Sequence, residues 1–107
     1  FTALHRAAVY SHESLLQLLL KYKPNLNSRT RSEFTPLHLA SQEGHLACVK
    51  ILLQAGADPM LPDIQGALPI HLAAQLNHDE VVWILIKQGG CSPDQVRRTA
   101  LQSIDHL

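Results

Sequence analysis

The sequence predicts an all-α repeat protein, and three observations point to that class. A hexamer recurs as Thr2-Ala3-Leu4-His5-Arg6-Ala7, Thr35-Pro36-Leu37-His38-Leu39-Ala40 and Leu68-Pro69-Ile70-His71-Leu72-Ala73, each copy 33 positions after the last. The same interval separates His12, His45 and His78, so six of the 7 histidines fall into two rows of three. The apolar series Leu16, Val49, Val82 and Leu19, Leu52, Leu85 keep the interval as well. A repeat of this length is one supersecondary unit, and its apolar face is covered only by its neighbours.

Each element of the unit has a local cause. Pro36 and Pro69 suit the first turn of a helix, where the missing amide hydrogen costs nothing, and Thr35 can cap that helix. A short first helix carries Leu37, Leu39 and Ala40 and turns at Gly44. A second helix is expected over about 46–55, with Val49, Leu52 and Leu53 at helical spacing. Gly56 ends it in the left-handed conformation, with Gly89 expected to do the same one repeat later. Asp58-Pro59 and then 63–66 read as an extended finger-like turn to the next unit. Ser11 and Asn77 stand where the inter-helix turn has Gly44, and Lys23 stands where Gly56 does, so the first repeat is the least ideal. A fourth unit, Thr99-Ala100-Leu101-Gln102-Ser103-Ile104, starts two positions early, with Gln102 in the histidine slot and Ile104 in the alanine slot. The expected organisation is a single domain over 1–107, with repeats at about 1–29, 30–62 and 63–94 and a partial one at 95–107. It reads as a fragment of a longer chain.

Thr-Pro-Leu-His-x-Ala at a 33-residue period resembles the ankyrin repeat, and the resemblance runs along nearly the whole chain. It implies an ankyrin-repeat solenoid of antiparallel helix pairs linked by β-hairpin-like fingers. It also implies that His5, His38 and His71 hydrogen-bond backbone to tie neighbouring repeats together, and that partners lie along the concave face made by the first helices and the fingers.

Composition narrows the function. The 107 residues suffice for one core, and the 9 basic and 9 acidic residues give zero formal charge. That balance argues against a nucleic-acid binder or a polybasic membrane reader. The longest apolar run, 81–86, is far too short for membrane insertion. With 2 cysteines there is no disulfide scaffold, so an intracellular setting, cytoplasmic or nuclear, is expected. The histidines lack the CxxC or HExxH spacing of a zinc site, so no metal is assigned. Cys48 falls on the apolar face of a second helix and Cys91 in a finger turn. Asp79-Glu80 and Glu33 with Glu43 fall in the solvent-facing register, without the dry pocket that acid–base catalysis needs. No phosphate-binding glycine loop occurs. Neither enzyme activity nor a cofactor is expected. Asn27 holds the finger position where ankyrin-family asparagines are hydroxylated, but Asn25 replaces the acidic residue of that pattern, and a hydrogen bond to its own turn is the plainer reading.

The expected function is a non-catalytic protein–protein interaction module. The register assigns its concave face to Tyr10, Tyr22, Arg29, Arg31, Phe34, Gln42, Glu43, Ile64, Gln65, Gln75 and Leu76. Val9, Ser32 and Ala67 flank that set. Tyr and Arg are the residue types that carry interface energy. Residues 1–32 carry a net charge of +4 and the remainder −4, which would steer a protein or peptide partner with an acidic segment toward Arg29 and Arg31. Trp83 replaces the polar Gln17 and Lys50 on the convex side, where it either shields the fourth unit or makes a second contact. The alternative is a structural spacer or self-association domain within a larger scaffold, channel or ubiquitin-ligase adaptor. The fragment itself is expected to be monomeric.

Overall fold

A computed structural model describes residues 1–96. The motif expected at 99–104 lies outside the described residues, as do Arg97 and Arg98. Six helices lie wholly within them, α1 (Ala3–Val9), α2 (Glu13–Leu20), α3 (Pro36–Glu43), α4 (Leu46–Gln54), α5 (Pro69–Gln75) and α6 (Asp79–Lys87), and residues 93–96 are helical as well. They form three helix pairs, α1 with α2, α3 with α4 and α5 with α6. The first helices pack in sequence, α1 on α3 and α3 on α5, and the second helices do likewise, α2 on α4 and α4 on α6.

The local causes read from sequence are in place. Thr2 Oγ1 accepts the His5 amide and Thr35 Oγ1 accepts the His38 amide, satisfying donors that a helix start would leave open. Pro36 and Pro69 occupy the first turns of α3 and α5. The turn between α3 and α4 uses Gly44 at φ 73°, and its counterparts Ser11 and Asn77 hold the same left-handed geometry at 57° and 61°. Lys23 does so at 49°, and Glu33, one period before Gly66, at 62°. Side chains at these positions meet a steric penalty that glycine avoids.

Leu16, Leu37, Val49, Leu52, Ile70 and Leu85 are fully buried and lie at the seams between pairs. Burying one such side chain stabilises the fold by about 1.5–3 kcal/mol. Ser41, on α3 between the neighbouring helices, is also fully buried, and its hydroxyl has no hydrogen-bond partner.

Two sequence expectations change at the end of α6. Gly90, at φ 72°, carries the left-handed conformation expected of Gly89, and a Cβ on Gly89 would meet the Leu85 carbonyl at 2.7 Å. The terminal bond runs from the Cys91 amide to Leu85 O, one residue longer than the Ala57 amide to Leu52 O after α4. That extra residue carries Cys91 inward to the role of Ala57. Cys91 is therefore a buried core thiol, pushed up to about 11 in pKa by burial, and not a finger residue. Burial likewise pushes the Cys48 thiol up.

Between pairs, the fingers are tight turns. Thr30 N–H donates to Phe34 O at 3.0 Å and Asp63 N–H to Ala67 O at 2.8 Å, while Ile64 N–H reaches Ser32 O at 3.1 Å to join one turn to the next. No strand occurs among the described residues. The left-handed residues Glu33 and Gly66 fold the chain back before a ladder can extend.

Candidate protein-binding groove

Both histidine rows position backbone around α1 and α3. The His5 ring accepts the Thr2 amide at Nδ1, 3.2 Å, so its Nε2–H is the donor to Ser28 O at 2.8 Å and Phe34 O at 3.1 Å. His38 repeats the arrangement, accepting from the Thr35 amide at 3.1 Å and donating to Ala67 O at 2.9 Å. The Leu68 amide donates to His71 Nδ1 at 3.0 Å, although Leu68 offers no hydroxyl in return. Burial depresses the His5 and His38 pKa values, outweighing the carbonyl bonds that favour the charged ring. Asp63 raises the His38 value and Arg29 lowers it. A second proton would also place N–H against N–H at the capped amide.

In the second row, His45 Nε2–H donates to Val9 O at 2.8 Å and His78 Nε2–H to Gln42 O at 2.9 Å. Each fixes the C-terminal end of the first helix in the preceding unit. His5 meanwhile holds the 28–34 turn against α1.

These constraints bring the end of α1, the 30–34 turn and one side of α3 around a groove of about 580 Å³. Five of the residues assigned from sequence line it: Tyr10, Arg31, Phe34, Gln42 and Glu43. Val9 and Ser32 line it with them, as do Phe1, Thr30 and Leu39, which sequence reasoning left out. Phe1 was legible in principle, because it stands 33 positions before Phe34. Tyr10 and Arg31 are exposed, and Phe34 is half-buried with its ring centroid 5.8 Å from that of His38. Phe1 holds the same relation to His5 at 5.6 Å. Phe34 thus covers its own histidine with one face and borders the groove with another.

The remaining assigned residues lie elsewhere. Ile64, Gln65, Gln75 and Leu76 are exposed one period beyond Arg31, Ser32, Gln42 and Glu43, extending the same register along the next turn and α5. Arg29 is exposed just before the groove-lining turn. Tyr22, also exposed, follows α2 in the other row of helices and stands apart from the groove.

Trp83 is 55% exposed and carries the Lys87 ammonium 4.6 Å from its ring centroid. It borders a second depression between α4 and α6, with Leu46 and Lys50 across from it. Asn27 corrects another expectation. Its side-chain oxygen accepts the Asp58 amide at 3.0 Å, bridging to the next unit, while Asn25 makes the local bond to the Asn27 amide. No group of three potential ligands is arranged for a metal among the described residues, and no helix among them is long and apolar enough to cross a membrane.

A family model described as ankyrin repeats (3 copies) matches residues 1–63, and one described as ankyrin repeat matches residues 65–98. No curated protein matches the chain.

Proposed function

The chain belongs to the ankyrin-repeat family, and we propose that it is a non-catalytic module that holds a protein partner in the groove between α1, α3 and the 30–34 turn. Ankyrin repeats in general are protein–protein interaction modules. The two stacked rows of helices are read as a short solenoid whose first-helix and finger side is concave. The observation that carries the proposal is the convergence of Tyr10, Arg31, Phe34, Gln42 and Glu43 on one groove. These residues are spread over three elements, which the packing of α1 on α3 and the histidine-to-carbonyl bonds bring together.

The groove suits an extended segment. Tyr10 and Phe34 offer apolar faces, Gln42 offers amide hydrogen bonds, and Arg31 on the rim offers a bidentate donor for a carboxylate. Since residues 1–32 carry the excess positive charge, an acidic end of the partner is oriented toward Arg29 and Arg31. Gln75, Leu76, Ile64 and Gln65 continue the track.

Affinity capture with a Tyr10→Ala, Arg31→Glu double variant tests this reading. Both side chains are exposed, so the variant is expected to keep the parent's circular dichroism and melting temperature. It should lose a captured partner by at least about tenfold, as interface anchors do. Equal capture by both proteins would remove the groove assignment. Concentration-dependent sedimentation with no captured partner would favour the self-association alternative.

A further inference from the structure

We infer that the outward face of α6, centred on Trp83, is a two-fold interface at which the chain pairs with a second copy of itself. The face carries its charges in an order that complements itself. Asp79 and Lys87 stand four positions to either side of Trp83, so all three share one side of the helix. Each charge lies about 6 Å from the indole position along the axis. A two-fold rotation about an axis through Trp83, perpendicular to α6, sets the Asp79 of one copy opposite the Lys87 of the other at both ends. The same rotation brings the two indoles together. Such an isologous contact needs only one patch on each copy.

The repeat register supplies an internal comparison. Gln17, Lys50 and Trp83 hold equivalent positions in α2, α4 and α6. Around Gln17 the charge order is the same, with Glu13 before it and Lys21 after it, but the centre is polar. Around Lys50 the flanking positions are Leu46 and Gln54, which carry no charge. Of these three helices, α6 alone joins the charge order to an apolar centre. Asp79 and Lys87 also suit the dipole of their helix, but the dipole gives no reason for an indole 55% exposed between them. Beside that indole lies a depression of about 480 Å³ between α4 and α6, with Leu46 and Ile84 as its apolar lining. Pairing places the second indole over this lining, as an aromatic interface anchor requires. Lys50, Asp79, Glu80 and Lys87 sum to zero charge around it, so two copies approach without net repulsion.

The groove belongs to the row of first helices, so the pairing leaves it open and does not rest on the groove reading. One helix face is smaller than the roughly 1,200–2,000 Å² of stable interfaces, so the dimer is weak and the expected monomer persists at low concentration. Sedimentation equilibrium of the 107-residue chain from about 10 μM to about 1 mM tests the inference. The average mass should rise toward twice that of the monomer, and emission from Trp83, the only tryptophan, should shift to the blue with it. Trp83→Gln, which copies the residue of α2, should keep the fold and weaken pairing at least about tenfold. Asp79→Lys and Lys87→Asp should each stay monomeric, because like charges then meet at both ends of the interface. An equimolar mixture of those two variants should pair again. Circular dichroism verifies each fold, and should a swapped chain not fold, Trp83→Gln decides alone. A chain that stays monomeric throughout, a dimer that survives Trp83→Gln, or folded swapped chains that do not pair on mixing would overturn the inference. So would a dimer lost in the Tyr10→Ala, Arg31→Glu variant, since the contact would then lie in the groove.

Discussion

The first and second helix pairs share a sequence pattern but differ in how completely the molecule satisfies it. In the second pair, Pro36 opens α3, Gly44 turns the chain, and both sides are covered by neighbours. In the first pair, Ala3 replaces the proline, Ser11 and Lys23 hold left-handed geometry with side chains attached, and Leu15 and Leu18 face solvent. Identical spacing therefore does not mean equal stability. A repeat's contribution is the sum of its own propensities and its interfaces, and the first pair is weaker in both.

The largest expected effect comes from the cores of the two pairs. Leu52→Ala removes a side chain with no exposed area and should destabilise the protein by about 2–5 kcal/mol in urea unfolding. Leu18→Ala, at a half-exposed site of the first pair, should cost under about 1 kcal/mol. Equal losses would mean that the first pair is as well covered as the second.

The turns give a smaller contrast of opposite sign. Gly44→Ala places a Cβ at φ 73° and 2.6 Å from His78 Nδ1, so it should destabilise by about 2 kcal/mol or more. Ser11→Gly, at the same register position, relieves the left-handed penalty and should stabilise by up to about 1 kcal/mol. Thermal melts of the two variants decide the matter, and a stabilising Gly44→Ala would break the comparison.

The first histidine row adds a pH dependence shared by both pairs. His5 and His38 have folded pKa values below the ordinary 6.5, so the folded state favours their neutral rings. Their contribution is complete above pH 6.5 and is lost as pH falls through the depressed folded values. Unfolding midpoints should therefore drop between pH 7.5 and 5, and His38→Gln should flatten that slope. A slope unchanged in His38→Gln would show that other groups set it.

Ser41→Ala gives the smallest effect. It removes a buried hydroxyl that has no partner, and it should be neutral or stabilising by up to about 1 kcal/mol. A clear loss of stability would reveal an unrecognised hydrogen bond in the second pair.

Much of the fold was legible because its causes are local. The capping threonines, the helix-opening prolines and the turn at Gly44 act within a few residues, and the 33-residue period marks the apolar seams. The groove was legible in part. Tyr10, Arg31, Phe34, Gln42 and Glu43 could be assigned by register, whereas Leu39 is buried as its apolar position expects and borders the groove as well, and Phe1 was left unassigned. Tyr22 carried the same residue-type signal but follows the other helix row, and residue type alone does not report on which row a turn belongs to.

By itself, then, the sequence determined the repeat, the order of helices, the caps and most buried positions, since period and propensity are written into neighbouring residues. The tertiary structure decided which of the assigned residues share a groove, that Gly90 replaces Gly89 and draws Cys91 into the core, and that Asn27 bridges to Asp58. It also decided that Leu15 stays exposed where Cys48 and Val81 do not. Those outcomes depend on how one repeat is displaced and rotated onto the next, and a side chain's burial is set by the neighbour that covers it.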